Sequence, residues 1–176
     1  VHLPLSLYND ITMSKFKLSA PPIKTFVFDV YETSNEFEKF LIYRSDKASV
    51  GEEFGKKVAD FKLSIRQGTF GEDKVRSELL WTRKRIYEQG KDTSTEINSM
   101  TPQNLVETDL SIVICGISDL EAEGVETPEF DTSGSYGKPK SKEKMLAFLR
   151  SLPSQWIEEF YSAVLEVNPH WDLKSR

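Results

Sequence analysis

KTFVFDVYETSNEFEKFLIYR, Lys24 to Arg44, decides the fold class. Phe26, Phe28 and Val30 alternate with Val27, Asp29 and Tyr31, so an extended chain here has one apolar face. The polar turn Glu32-Thr33-Ser34-Asn35-Glu36 follows. KFLIYR, Lys39 to Arg44, is then rich in branched and aromatic side chains. Two such runs around a polar turn predict a β-hairpin with a loop longer than the tightest type. Asp29 is the odd residue and is expected at a sheet edge or facing solvent. Upstream, Lys15 to Leu18 alternates briefly and Pro21-Pro22 stops it.

Downstream the period changes. Ser49 and Glu52 have capping-box spacing. Val50, Phe54, Val58, Phe61 and Ile65 recur at helical intervals, which predicts a helix over about 49–66 despite Gly51 and Gly55. Gly68 and Gly71 mark a break. Val75, Leu79, Thr82 and Ile86 place a second helix over 72–89. Glu72 and Asp73 at its start and Arg83-Lys84-Arg85 toward its end suit the helix dipole. Residues 91–100 read as a polar loop. Thr101-Pro102 is a strong helix start. Val106, Leu110, Val113, Ile117 and Leu120 carry that helix to Gly124, with Ile112, Ile114 and Cys115 widening its apolar sector.

Residues 124–140, rich in Gly, Pro, Ser and Thr, read as a linker or mobile loop. Met145, Phe148, Leu149 and Leu152 then form one helical stripe. Ile157, Phe160, Tyr161, Val164 and Leu165 form the next, with a hinge at Leu152-Pro153 and a stop at Asn168-Pro169. The expected class is therefore α+β: a small antiparallel β element near the N-terminus followed by a mainly α-helical body. The chain divides into an arm (1–23), a hairpin with a helical body (24–123), the linker (124–140) and a C-terminal helical pair (141–176). Residues 1–12 read either as an extension upstream of Met13 or as an arm that docks Leu3, Leu5 and Leu7.

Composition narrows the function classes. The 176 residues carry a net charge of −5, which counts against a nucleic-acid binder. No apolar run approaches bilayer-spanning length, so no membrane contact is expected. The first residues lack the basic and apolar regions of a signal peptide. The lone Cys115 excludes an intrachain disulfide. In the most apolar helix it behaves as a small hydrophobe.

Few constellations suggest chemistry. Phe28-Asp29-Val30-Tyr31-Glu32-Thr33 resembles the first motif of haloacid dehalogenase-like hydrolases, whose Asp is a nucleophile. Glu32 stands where that motif normally has Gly. Tyr136-Gly137-Lys138-Pro139 and Ile114 to Asp119 resemble its later segments, but in reversed order. His2 and His170, near opposite ends, give no metal or catalytic set. The glycines form no phosphate loop. Glu52-Glu53 and Glu158-Glu159 are adjacent along helices and diverge by about 100°. Trp81-Thr82-Arg83-Lys84-Arg85 is the one basic cluster with an aromatic. Glu72, Asp73, Glu78 and Glu88 interrupt it, so a solvated helix face is preferred to a nucleic-acid contact. No cofactor, metal ligand or catalytic residue is expected.

An apolar helix, a polar segment and then LRSLPSQWIEEFYSAVLEV, Leu149 to Val167, are similar to tail assembly chaperones of tailed bacteriophages and, more loosely, to the related baseplate chaperones. The resemblance covers mainly residues 101–167 and rests on Leu149, Leu152, Pro153, Ile157, Phe160, Tyr161 and Leu165. It implies a non-enzymatic protein of the host cytoplasm. Such a protein binds hydrophobic surfaces of an unassembled tail, tape-measure or baseplate protein. A minor structural subunit retained in the virion tail is the alternative, and a hydrolase using Asp29 a second one. The last helices hold more apolar surface than one face of a short helix needs. Leu152, Trp156, Ile157, Phe160, Tyr161 and Val164 are therefore the expected partner-binding residues. Packing into the chain's own core is the competing reading for each.

Overall fold

The computed structural model describes residues 20–47, 55–81, 83–87, 94–98 and 100–173, with backbone alone for 81, 83–87 and 94–98. The fold is α+β, as the patterning predicts. Strand β1 (Ile23–Glu32) pairs antiparallel with β2 (Phe40–Arg44) on one side and β3 (Lys56–Arg66) on the other. Strand β6 (Ile114–Ser118) closes the far side, so the sheet runs β2-β1-β3-β6. The predicted hairpin is β1–β2. Its turn is held by Thr33, whose N–H donates to the Lys39 carbonyl and whose hydroxyl donates to that of Glu38.

The predicted 49–66 helix is corrected to a strand over its described part. Phe61, Leu63 and Ile65 alternate on the core face, a period that counting by fours conceals. Ten residues of pairing with β1 outweigh the helical spacing. Gly55 lies where a Cβ would stand 2.1 Å from the Glu32 carbonyl oxygen, so the chain enters β3 past a backbone that only glycine can approach. Residues 48–54, with the Ser49 capping signal, lie outside the described residues.

The second predicted helix is also shorter. Helix α1 spans Phe70–Trp81, and strands β4 (Arg83–Tyr87) and β5 (Ser94–Asn98) then pair antiparallel. The polar stretch read as loop thus contains a strand. A capping box opens α1. Thr69 Oγ1 accepts from the Glu72 N–H, and Glu72 Oε1 accepts from the Thr69 N–H at 2.9 Å.

Helix α2 (Pro102–Val113) starts as predicted, with Thr101 Oγ1 accepting from the Asn104 N–H. It does not reach Gly124. The β-branched Ile114 and Ile117 flank Gly116 and leave the helix to join β3 as β6. In the segment read as a linker, β7 (Phe130–Asp131) and β8 (Lys138–Pro139) form a small ladder. A Cβ on Gly137 would stand 2.1 Å from the Cys115 carbonyl oxygen, so this segment lies directly against β6. The Tyr136 ring covers the buried Arg66 guanidinium at 4.2 Å.

Helices α3 (Lys142–Ser151) and α4 (Ser154–Val167) meet at Leu152-Pro153 as expected. Asn168 ends α4, and a 3-10 turn (Pro169–Trp171) follows. The core lies between the inner sheet face and α2, α3 and α4. Phe28 stacks on Phe61 at 5.6 Å, Phe61 on Trp156 at 5.6 Å, and Phe160 meets Phe28 edge-on at 5.4 Å. Met145, Phe148, Leu110 and Val113 complete it.

Candidate partner-binding groove

Helices α2, α3 and α4 pack with their apolar stripes inward but do not close completely on the outer side. Val106 and Leu110 of α2, Leu149 of α3, Leu152 at the hinge, and Ile157 and Tyr161 of α4 line an open cavity of about 470 Å³. One rim is pinned by Arg150 of α3, which donates from Nε and Nη2 to both carboxylate oxygens of Glu107 on α2, each at 2.8 Å. That pairing holds the Glu107 carboxyl below its ordinary range. Glu158 stands exposed on the other rim.

The wall at Tyr161 is rigid for a chemical reason. Its hydroxyl donates to Asp109 Oδ2 at 2.8 Å, and Asp109 is fully buried. Arg76 of α1 donates from Nε to both Asp109 oxygens, at 2.9 and 3.1 Å, and from Nη2 to the Trp171 carbonyl at 2.8 Å. Two buried charges are thus paired and hydrogen-bonded, the only condition under which burial is tolerable. Burial raises the Asp109 carboxyl pKa, and Arg76 and Tyr161 oppose that rise. Burial and then Asp109 push the Tyr161 phenol upward.

A second depression of about 520 Å³ adjoins the first and shares Glu158 and Tyr161 with it. Lys47, Leu165, Glu166 and Asp172 line the rest. Glu166 binds Lys24 Nζ at 2.7 Å and also accepts from Arg44. Arg44 first, then Lys24, holds its carboxyl at about 2. A depressed pKa means these pairs stabilise the fold above the ordinary glutamate range, about 4.3. That contribution is lost as pH falls toward about 2. A carbon-13 titration of the Glu166 carboxyl is expected to give a midpoint near 2, and Arg44→Met to move it upward. A midpoint in the ordinary range in the unmodified protein contradicts the pairing.

Of the predicted partner-binding residues, Trp156, Phe160 and Val164 lie in the core, at 5%, 0% and 0% exposure. Leu152, at 8% exposure, also belongs to the core and reaches the groove floor, and the half-buried Ile157 and Tyr161 line the groove walls. The inward set has its own structural duties. Trp156 Nε1 donates to the Phe40 carbonyl. Its neighbour Gln155 accepts from the Ile42 N–H at 3.0 Å and donates to the Ile42 carbonyl at 2.7 Å. The side-chain amide thereby takes the place of a neighbouring strand and closes the free edge of β2. Sequence patterning gave no role to Gln155 or Asp109, and it placed Arg76 only among the basic residues upstream of Trp81. Asp109 left a trace only as a charge on the apolar side of α2.

The other sequence candidates are dispersed. Asp29 is not at an edge: it lies on the outer face of the central strand β1, with Lys57 Nζ 3.2 Å from its Oδ1. Its strand is antiparallel to both neighbours, unlike the parallel sheet that the hydrolase motif requires. His170 Nε2 lies 3.1 Å from Asp73. Cys115 is buried, and its burial raises the thiol pKa. Among the described residues no three His, Cys, Asp or Glu side chains converge as metal ligands, and no helix is long and apolar enough to cross a membrane. His2 and the side chains of Trp81 to Arg85 lie outside the described residues. No family model, curated protein or solved structure matches the chain.

Proposed function

We propose that the chain is a non-enzymatic protein–protein interaction module that acts as an assembly chaperone for a bacteriophage tail or baseplate protein in the host cytoplasm. The supporting observation is the open apolar groove between α2 and the α3–α4 hinge. It lies within the part of the chain that resembles the tail chaperones, and Leu152, Ile157 and Tyr161 line it. A groove of about 470 Å³ with a mostly aliphatic floor suits apolar side chains of a partner. Its charged rim keeps the free protein hydrated. Burying such a surface shields an unassembled subunit from premature association. The reading requires no cofactor. The antiparallel setting of Asp29 beside Lys57 favours it over the hydrolase alternative.

Co-expression with individual tail, tape-measure and baseplate proteins, taken from genes neighbouring its own, tests the proposal. One of them is expected to co-purify and to lose solubility when expressed alone. Mass spectrometry of finished particles separates chaperone from structural subunit. The chaperone reading expects the chain to be absent, and stoichiometric copies in the particle contradict it.

A further inference from the structure

A helix as short as α1, 12 residues, normally holds to a protein through an apolar stripe. In α1, Phe70 is 84% and Val75 53% exposed. Among the described residues, no apolar side chain of α1 packs against the core. Its backbone runs close along that of no other described element. Arg76 is the buried residue that it contributes.

Polar bonds at Glu72, Asp73 and Arg76 hold the helix in place. Arg66 of β3 donates from Nη1 and Nη2 to the two Glu72 oxygens, each at 2.7 Å. Asp73 Oδ1 accepts from Trp171 Nε1 at 2.7 Å, and His170 Nε2 stands 3.1 Å from Oδ2. Arg76 donates to Asp109 and to the Trp171 carbonyl, and its guanidinium lies over the Trp171 ring at 5.1 Å. The chain enters α1 through Gly68, where a Cβ would stand 2.5 Å from that ring. The Gly68 N–H donates to the buried Asn168 side chain at 2.8 Å, which fixes the near end of the segment. Bonds of this kind are exchanged for water on opening, so they favour the shut state by less than apolar burial favours the core. Releasing α4 exposes Phe160 and Val164, both fully buried. Releasing α1 returns Arg76 and Asp109 to water and uncovers the Trp171 ring.

We infer that α1 is a strap, hinged at Gly68, that opens as a unit while the sheet and helices α2, α3 and α4 stay folded. With Arg76 withdrawn, Tyr161 loses the bonded pair behind it, so the position of the strap sets how rigid that wall of the groove is. The inference rests on how α1 is held and not on what occupies the groove.

Native-state amide exchange of the full chain, at several urea concentrations below the unfolding transition, tests it. A detached helix of this length is marginal in water, so its amides exchange when the strap opens. Relative to their intrinsic rates, the amides of Lys74 to Glu78 are expected to exchange at least about 100-fold faster than those of Phe160 to Val164. Their urea dependence is expected to be weaker, because opening the strap exposes less surface than unfolding the core. Val164→Ala removes a contact that is kept while the strap is open. It is expected to speed exchange in α4 at least about tenfold and to leave α1 unchanged. Asp73→Ala removes the acceptor shared by Trp171 and His170 and is expected to speed exchange in α1 about tenfold. Equal protection and equal urea dependence of the two helices overturn the inference. So does a Val164→Ala chain in which both helices speed up by the same factor, or an α1 that Asp73→Ala leaves unmoved.

Discussion

Arg76→Met is expected to lower stability by about 3–5 kcal/mol, because it strands the Asp109 carboxylate in the interior. Asp109 is fully buried, and its partners are Arg76 and the Tyr161 hydroxyl. With Arg76 gone, one hydroxyl remains to bind a charge that water cannot reach. The carboxyl then retains its proton in the folded state, so its folded pKa stands above the unfolded value, about 3.9. A raised carboxyl pKa makes the native state less stable as pH rises through that window. The loss is therefore smaller near pH 4 than near pH 7, an interval taken from the ordinary aspartate range. Arg76→Met with Asp109→Leu removes both charges and is expected to recover most of the loss. Urea unfolding at the two pH values checks all three statements. A loss under about 1 kcal/mol at neutral pH, the scale of an exposed pair, contradicts the buried-pair reading.

Phe160→Ala is expected to cost a further class of variant about 3–5 kcal/mol, for a different reason. Phe160 has no exposed surface and contacts the rings of Phe28 and Phe61 at 5.4 and 6.0 Å. Removing it opens a void between α4 and the central strands that the sheet cannot refill. Ile157→Ala, three residues earlier on the half-open face, is expected to cost about 1 kcal/mol, since fewer of its atoms leave water on folding. The comparison separates the two faces of α4. A Phe160→Ala protein of near-normal stability contradicts its assignment to the core.

The hairpin and the C-terminal pair were legible because their patterns are local. Phe26, Phe28 and Val30 alternate without interruption, and Leu152-Pro153 can be read only as a break. The middle of the chain misled because its apolar residues fit two periods. Phe61 and Ile65 are four apart, so they share a face of a helix and of a strand alike. Leu63 between them decides for the strand, and its partner Phe26 lies 37 positions away. Ile114 to Ser118 has the same ambiguity. A helix there continues the apolar stripe of α2, but the strand gains a ladder with β3. Thr69–Glu72 has the same spacing as Ser49–Glu52 and forms a capping box at the start of α1.

The groove was half legible. Surplus apolar residues on α4 marked the region but not the side. Phe160 and Tyr161 are neighbours about 100° apart on the helix, and one points at the sheet and the other at α2. Which of them faces a partner depends on where the sheet lies. Gln155 and the Arg76–Asp109 pair act only through residues distant in sequence, so no spacing rule reveals them.

The most direct measurement is co-expression of each neighbouring tail or baseplate protein with the unmodified chain and with Ile157→Glu, scored by co-purification, with the unfolding midpoint of each chain measured alongside. A groove that holds the partner predicts retention of one tail protein by the unmodified chain and loss by a still-folded Ile157→Glu. Equal retention by both contradicts it.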